Sequence, residues 1–243
     1  MDTECLIVPR RDKGEPEISG TTILCPNPAD VHRFAQLTKK HTVKPLFMYN
    51  SRFWQVSAGQ VEFCICGPAV GAPMAVLALE KLIALGSTRI IVVGTCGALC
   101  DSFSVGDVFL PECGVSEEGT SAHYPLASGP FVSPALLDQL KAALGRRNIT
   151  AASGKIWTTD APYRETWAKI IAYKARDVQA VDMEFTALLT VAAFRKVELA
   201  AVMVVSDIVT GEQWLPGFST KIFKQQGKAV CEAIFENCLC GEL

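Results

Sequence analysis

Nothing in the cysteine pattern of this chain builds a metal centre or a disulfide frame. Its ten cysteines fall at positions 5, 25, 64, 66, 96, 100, 113, 231, 238 and 240, with no CxxC pair. The three histidines (His32, His41, His123) stand away from cysteine pairs at finger-like spacing, so neither a zinc site nor any other metal is expected. Many of the cysteines sit inside apolar runs, where they act as small buried hydrophobes. The opening stretch MDTECLIVPRRDKGEPEISG lacks an apolar signal core. The apolar runs break well short of the roughly 20 residues a membrane helix needs. A cytoplasmic protein with no membrane partner is the expectation. Neither sign of charge dominates: 23 Lys and Arg stand against 25 Asp and Glu, mixed along the chain. Proteins that bind nucleic acid concentrate Lys and Arg, so nucleic acid is not expected as a partner. Heptads, internal repeats and low-complexity tracts are missing as well.

The 243 residues suffice for one large domain, and no break in composition marks a second. Residues 1–20, rich in charge, Gly and Pro, are expected to be poorly ordered or peripheral. Strand-like apolar runs alternate with helical patterns, which points to an α/β layer architecture. Strands are expected over Thr21–Cys25, Arg52–Ser57, Val61–Cys66, Arg89–Gly94, Gly106–Leu110, Ala152–Trp157 and Leu199–Ser206. Helices are expected over Ala29–Lys40, from Gly71 to Gly86, and over Ser133–Arg146, Asp182–Arg195 and Ser219–Cys238. The run RIIVVG reads as a strand covered on both faces. Several strands end in Gly, Thr, Ser or Asp, and open α/β sheets place ligands at such carboxyl edges.

Three segments carry residues suited to chemistry. GTCG, Gly94–Gly97, follows the strand RIIVV and offers backbone amides and a hydroxyl to an anion, although glycines after strands are often only turns. GPAVGAP, Gly67–Pro73, has neither the P-loop nor the dinucleotide spacing. TTDAPYRET, Thr158–Thr166, gathers hydroxyls, an acid, Tyr163 for stacking and Arg164 as a donor, a set suited to a flat polar ligand. The alternative is a surface loop in which Arg164 and Glu165 pair in solvent. In VDMEF, Asp182 and Glu184 stand at a helix start, where the dipole alone would favour acids. Asp207 ends the apolar run AAVMVVS, and an unpaired carboxylate there is expensive. Either it or Ser206 also suits the cap of a following turn.

Taken in order, GPAVGAPMAVLALEKLIALG, IIVVGTCGAL, TTDAPYRET, VDMEF and VVSD resemble the nucleoside phosphorylase-I family, which includes hexameric purine nucleoside phosphorylases, uridine phosphorylases and related nucleosidases. The resemblance runs from about Thr21 to the terminal helix. It implies a three-layer αβα sandwich around a central mixed, partly barrel-like sheet. It implies that Glu184 accepts hydrogen bonds from the sugar hydroxyls and that Met183 lies against the sugar. By the same resemblance Asp207 protonates a purine as the glycosidic bond breaks. Thr95 and Gly94 would face phosphate, joined by Arg52 of NSRFW, lent by a neighbouring subunit. Pro162, Tyr163, Arg164 and Ser206 would serve the base. No cofactor is implied; phosphate is a co-substrate, and a homo-oligomer (dimer, trimer or hexamer) completes the site.

The chain departs from the family at the nucleophile. The family's G-D-P-x-R stretch reads Pro26-Asn27-Pro28-Ala29-Asp30 here, with an acid in place of the arginine, and a second family arginine is replaced by Val92. Each lost charge-assisted contact to a dianion is worth about 1.5–3 kcal/mol. Arg52, Arg33 or a rearranged loop would have to compensate; otherwise water replaces phosphate, as in the nucleosidases. Asp207 speaks for purine over uridine. The expected activity is phosphorolysis of nucleosides, with hydrolysis as the first alternative and a non-catalytic nucleoside-binding protein as the second.

Overall fold

The structure, a computed structural model, describes residues 5–18, 20–209 and 213–243, with the backbone alone at 42–45 and 47. Its elements run β1 (Gly20–Leu24), α1 (Pro28–Leu37), β2 (Thr42–Met48), β3 (Ser51–Ala58), β4 (Val61–Gly67), α2 (Ala72–Ala84), β5 (Ser87–Ala98) and β6 (Val108–Ser116). They continue with α3 (Pro134–Gly145), β7 (Ala151–Thr158), α4 (Trp167–Lys174), β8 (Val178–Asp182), α5 (Phe185–Arg195), β9 (Glu198–Ile208), β10 (Leu215–Pro216) and α6 (Lys221–Leu239).

One mixed sheet holds all ten strands in the order β10-β9-β6-β7-β8-β5-β1-β4-β3-β2, and β9 also pairs with β5. That extra pairing closes β5, β9, β6, β7 and β8 into a barrel, while β1, β4, β3 and β2 extend from it as an open wing. The expected three-layer αβα form with a partly barrel-like sheet is what the chain adopts. Helices α1, α3 and α6 pack together, and α2 packs on α5. In β5, Ile90, Ile91, Val92 and Val93 are all buried, as a strand covered on both faces requires.

Helix starts follow local chemistry. Asn27, Ser133, Thr166 and Thr220 each accept a backbone N–H from the first turn of the helix they precede. The helix expected to begin at Asp182 instead begins at Phe185, because Asp182 is the last residue of β8. The polar spacing that reads as a helix start spans a strand end and a two-residue corner. GTCG differs as well. It does not follow a strand but lies inside β5, which continues to Ala98. Strands β2, β8 and β10 and helix α4 are additions to the sequence reading.

Candidate active site

Where β5, β8 and β9 run out at the barrel rim, they enclose a cavity of about 410 Å³. Of the ten residues singled out in the sequence, eight line it: Gly94, Thr95, Pro162, Tyr163, Met183, Glu184, Ser206 and Asp207. Arg52 and Arg164 do not. Arg52 is exposed on β3 opposite Gly67, and Arg164 is exposed on the 3₁₀ turn Pro162–Arg164.

Strand alternation would send Ser206 and Asp207 to opposite faces. A bulge prevents this. On β9 Val205 pairs with Cys96 and Asp207 pairs with Gly97, so Ser206 is an extra residue with no partner of its own on β5. Both side chains therefore reach the cavity. Room for the carboxylate comes from Gly97, where an added Cβ would stand 3.2 Å from Asp207 Oδ2 and 3.1 Å from Val181. Ser206 Oγ donates to Asp207 Oδ1 at 2.6 Å, and Trp214 Nε1 donates to Oδ2 at 2.7 Å. Both bonds orient the carboxylate.

Asp182 and Glu184, two residues apart, do different work. Asp182 is buried and accepts from Thr158 Oγ1 at 2.6 Å and from the amides of Glu184 and Phe185 at 3.1 and 2.7 Å. It thus caps α5 from outside the helix. Glu184 is buried in the corner, and its Oε1 accepts the Gly71 N–H at 2.6 Å. Gly71 has a φ of +83°, a conformation that glycine adopts freely, and this conformation presents its amide to the carboxylate. GPAVGAP, which has no recognisable motif, therefore anchors Glu184. Burial raises the Glu184 pKa above the usual carboxylate range, and the negative charge of Asp182 raises it further. Burial likewise raises Asp182, against the pull of its Thr158 and amide hydrogen bonds.

A fourth acid, Glu165, lines the same cavity. Its pKa is pushed up to about 7 by burial first, then by the charges of Asp207 and Glu117, with Lys169 opposing. The solvent pairing of Arg164 with Glu165 is therefore replaced by a carboxyl facing the cavity, and Lys169 pairs with Glu117. Trp214 and Phe218 also line the cavity. They come from the segment around β10, and only the Trp214 indole nitrogen on Asp207 ties them to a residue the sequence had marked.

Both family departures now have a location. Asp30 is buried in α1 and turned toward α6, accepting from Asn27 Nδ2, from Arg33 Nη1 and, at 3.7 Å, from Cys231 Sγ. Arg33 is spent on that pair and lies over the Phe223 ring, 6.0 Å from its centroid. Asn27 and Val92 line the cavity instead. Among the described residues lining it, four are acids and none is Lys, Arg or His. No group of three or more His, Cys, Asp or Glu side chains that could hold a metal ion occurs among the described residues, nor does a helix long and apolar enough to cross a membrane.

The sequence model of the phosphorylase superfamily matches residues 21–236. A DeoD-type purine nucleoside phosphorylase of Brevibacillus brevis is 32% identical over 154 residues, covering 60% of this chain and 64% of that protein. In fold, the chain resembles the purine nucleoside phosphorylase of Toxoplasma gondii in complex with immucillin-H, with a TM-score of 0.82, 21% identity, and coverage of 100% of this chain and 99% of that one. It also resembles the uridine phosphorylase of Vibrio fischeri, with a TM-score of 0.76, 25% identity, and coverage of 91% and 92%.

Proposed function

The chain belongs to the phosphorylase superfamily, and from that premise we propose that it cleaves the N-glycosidic bond of nucleosides by phosphorolysis, giving free base and pentose 1-phosphate, with purine nucleosides favoured over uridine. The observation that carries the proposal is Asp207 in one cavity with Glu184, each held by named donors. The bond between the anomeric carbon and the base nitrogen breaks, and its electron pair moves onto the base. A proton from the Asp207 carboxyl neutralises that base, a contribution of about 10²–10⁴-fold. Glu184 orients the sugar through its hydroxyls, with Met183 against the ring, and in its ionised form it favours the oxocarbenium character that develops there. A phosphate oxygen then bonds to the anomeric carbon. Phosphate would rest against the Gly94 backbone and the Thr95 hydroxyl, with Arg52 supplied by a second copy of the chain in a homo-oligomer. Tyr163, Pro162 and Ser206 would serve the base. No cofactor enters the reaction.

The acid-lined, cation-free cavity favours a second reading, hydrolysis. A dianion entering among four carboxyls meets no Lys, Arg or His among the described residues that line the cavity, whereas water carries no such penalty. A panel of nucleosides assayed with and without inorganic phosphate separates the two. Pentose 1-phosphate formed only with phosphate supports phosphorolysis; equal base release without it establishes hydrolysis. Asp207→Asn should lower kcat on inosine or adenosine by about 10²–10⁴-fold. Thermal stabilisation by nucleosides with no product after long incubation would instead identify a binding protein.

A further inference from the structure

Outside the cavity, against the first turn of α5, a further carboxylate is buried. Glu118, just beyond the end of β6, is 5% exposed. Its Oε1 accepts from the hydroxyls of Ser116 at 2.7 Å, Thr186 at 3.3 Å and Ser121. Its Oε2 accepts the amides of Thr120 and Ser121 at 2.7 and 3.0 Å. Burial alone would raise its pKa, but these donors together hold it below the usual carboxylate value, so it carries a negative charge at neutral pH. Around it, Glu117 pairs with Lys169 of α4, Asp160 accepts the Gly119 N–H, and His123 is exposed. Tyr124 packs on Phe194 beside the Glu80–Arg195 pair. A short chain of bonds ties this charge to the cavity. Thr186 gives its hydroxyl to Glu118 and its amide to Thr158 Oγ1 at 3.1 Å, and the Thr158 hydroxyl donates to Asp182 at 2.6 Å. Gly114 of β6 leaves room for Thr186, since an added Cβ would stand 2.4 Å from Thr186 Cγ2. Asp182 in turn faces Glu184 and the Cys96 thiol. Its three donors invite the negative charge of the pair onto Asp182, whereas the sugar would meet Glu184. Glu118 works against that: burial raises the Asp182 pKa first, and the Glu118 charge raises it further.

We propose that Glu118 is a positioning residue for the cleavage reaction: the fold uses its acceptors, while its charge, set behind Asp182, drives the negative charge of the Asp182–Glu184 pair onto Glu184, where the sugar binds. The proposal rests on the glycosidic-cleavage reading and adds a residue that touches no substrate. Two carboxyls in a buried pair ionise in two steps, and between the steps the pair carries one charge in two alternative places. A third carboxylate close to one of them tips the choice toward the other. Glu118 therefore has no leverage where the pair is fully protonated or fully ionised, and most leverage in between.

The measurement is base release from the best substrate of the nucleoside panel, read on the full chain as kcat/KM, which reports ionisations of the free enzyme, from about pH 5 to about pH 9.5. Glu118→Gln should fold with a melting temperature little changed. Its carbonyl keeps the Thr120 and Ser121 amides, and the Ser116, Ser121 and Thr186 hydroxyls can turn to accept from its amide nitrogen. The ratio of wild type to Glu118→Gln should peak at about three- to tenfold near neutral pH and fall toward unity on both sides. Ionisations elsewhere in the cavity are common to both chains and cancel in the ratio. Glu118→Asp keeps the charge and should give a ratio that does not vary with pH. A flat ratio for Glu118→Gln, or a Glu118→Gln chain that does not fold, overturns the proposal by leaving Glu118 a structural role alone. Base release with a flat ratio leaves glycosidic cleavage standing and removes this inference only. If wild type releases no base, the cleavage reading falls, and the same ratio taken from inosine affinities by calorimetry decides the role of Glu118. Absence of nucleoside binding by wild type overturns both.

Discussion

Glu184 accepts the Gly71 amide in a buried corner next to another acid. Glu184→Gln retains an acceptor for that amide but removes the charge offered to a sugar. Hydrogen bonds to a charged group contribute about 1.5–3 kcal/mol, so kcat/KM on nucleosides should fall by about 10- to 150-fold with the melting temperature little changed. Steady-state kinetics alongside a thermal melt checks this; unaltered kinetics would remove Glu184 from the sugar site. The residue scale is also where the sequence was most legible. Asp207, Glu184 and Tyr163 stand beside strand ends and turns that their own neighbours reveal. Glu165 was not legible, because its neighbour Arg164 offered a solvent pairing at no distance in sequence. Nothing local states that the turn at Pro162 points the Arg164 side chain to solvent and the next one, Glu165, into a cavity.

Between residue and molecule stand the corners that join strand to helix. The β8–α5 corner depends on Asp182, which binds the amides of Glu184 and Phe185 and the Thr158 hydroxyl. Asp182→Ala leaves these donors buried without a partner, a cost of about 1–3 kcal/mol. Asp182→Asn keeps an acceptor and removes the charge that repels Glu184, so it should lose less stability and lower the Glu184 titration. Urea denaturation of the two variants, with a carboxyl-sensitive spectroscopic titration, tests that order. Elements were legible where one period dominated: Arg89–Gly94 alternates with nothing and reads as a buried strand, and AVLALEKLIALG reads as a helix. The stretch from Asp182 to Phe185 was not, since three polar-bounded residues at a corner carry neither period. Trp214 and Phe218 were invisible for a different reason: their approach to Asp207 is set by the pairing of Leu215 and Pro216 with β9, a contact that no local pattern encodes.

For the whole molecule, the cavity acids set a pH dependence. Glu165, raised to about 7, and Glu184 and Asp182, both raised by burial, hold protons more tightly when folded than unfolded. The folded state therefore binds more protons between the unfolded value, roughly 4.5, and the folded ones, and stability falls as pH rises across that window. Melting temperature in the absence of ligand should drop from about pH 5 to pH 8, with a shallower drop in Glu184→Gln; a rise across the same interval would contradict the titration of these groups. The layer architecture was legible from alternating elements and from the family resemblance, but barrel closure was not. It depends on β5 meeting β8 and β9 as well as β1, and one strand with three partners leaves no signature in its own residues. The bulge at Ser206 has a consequence for attempts to harden the protein. Deleting one residue would give β5 and β9 an unbroken ladder, the most direct route to a more regular barrel. That same deletion would rotate the following side chain out of the cavity. Here regularity and reactivity compete for a single position, so heat tolerance has to be sought in the wing strands and outer helices.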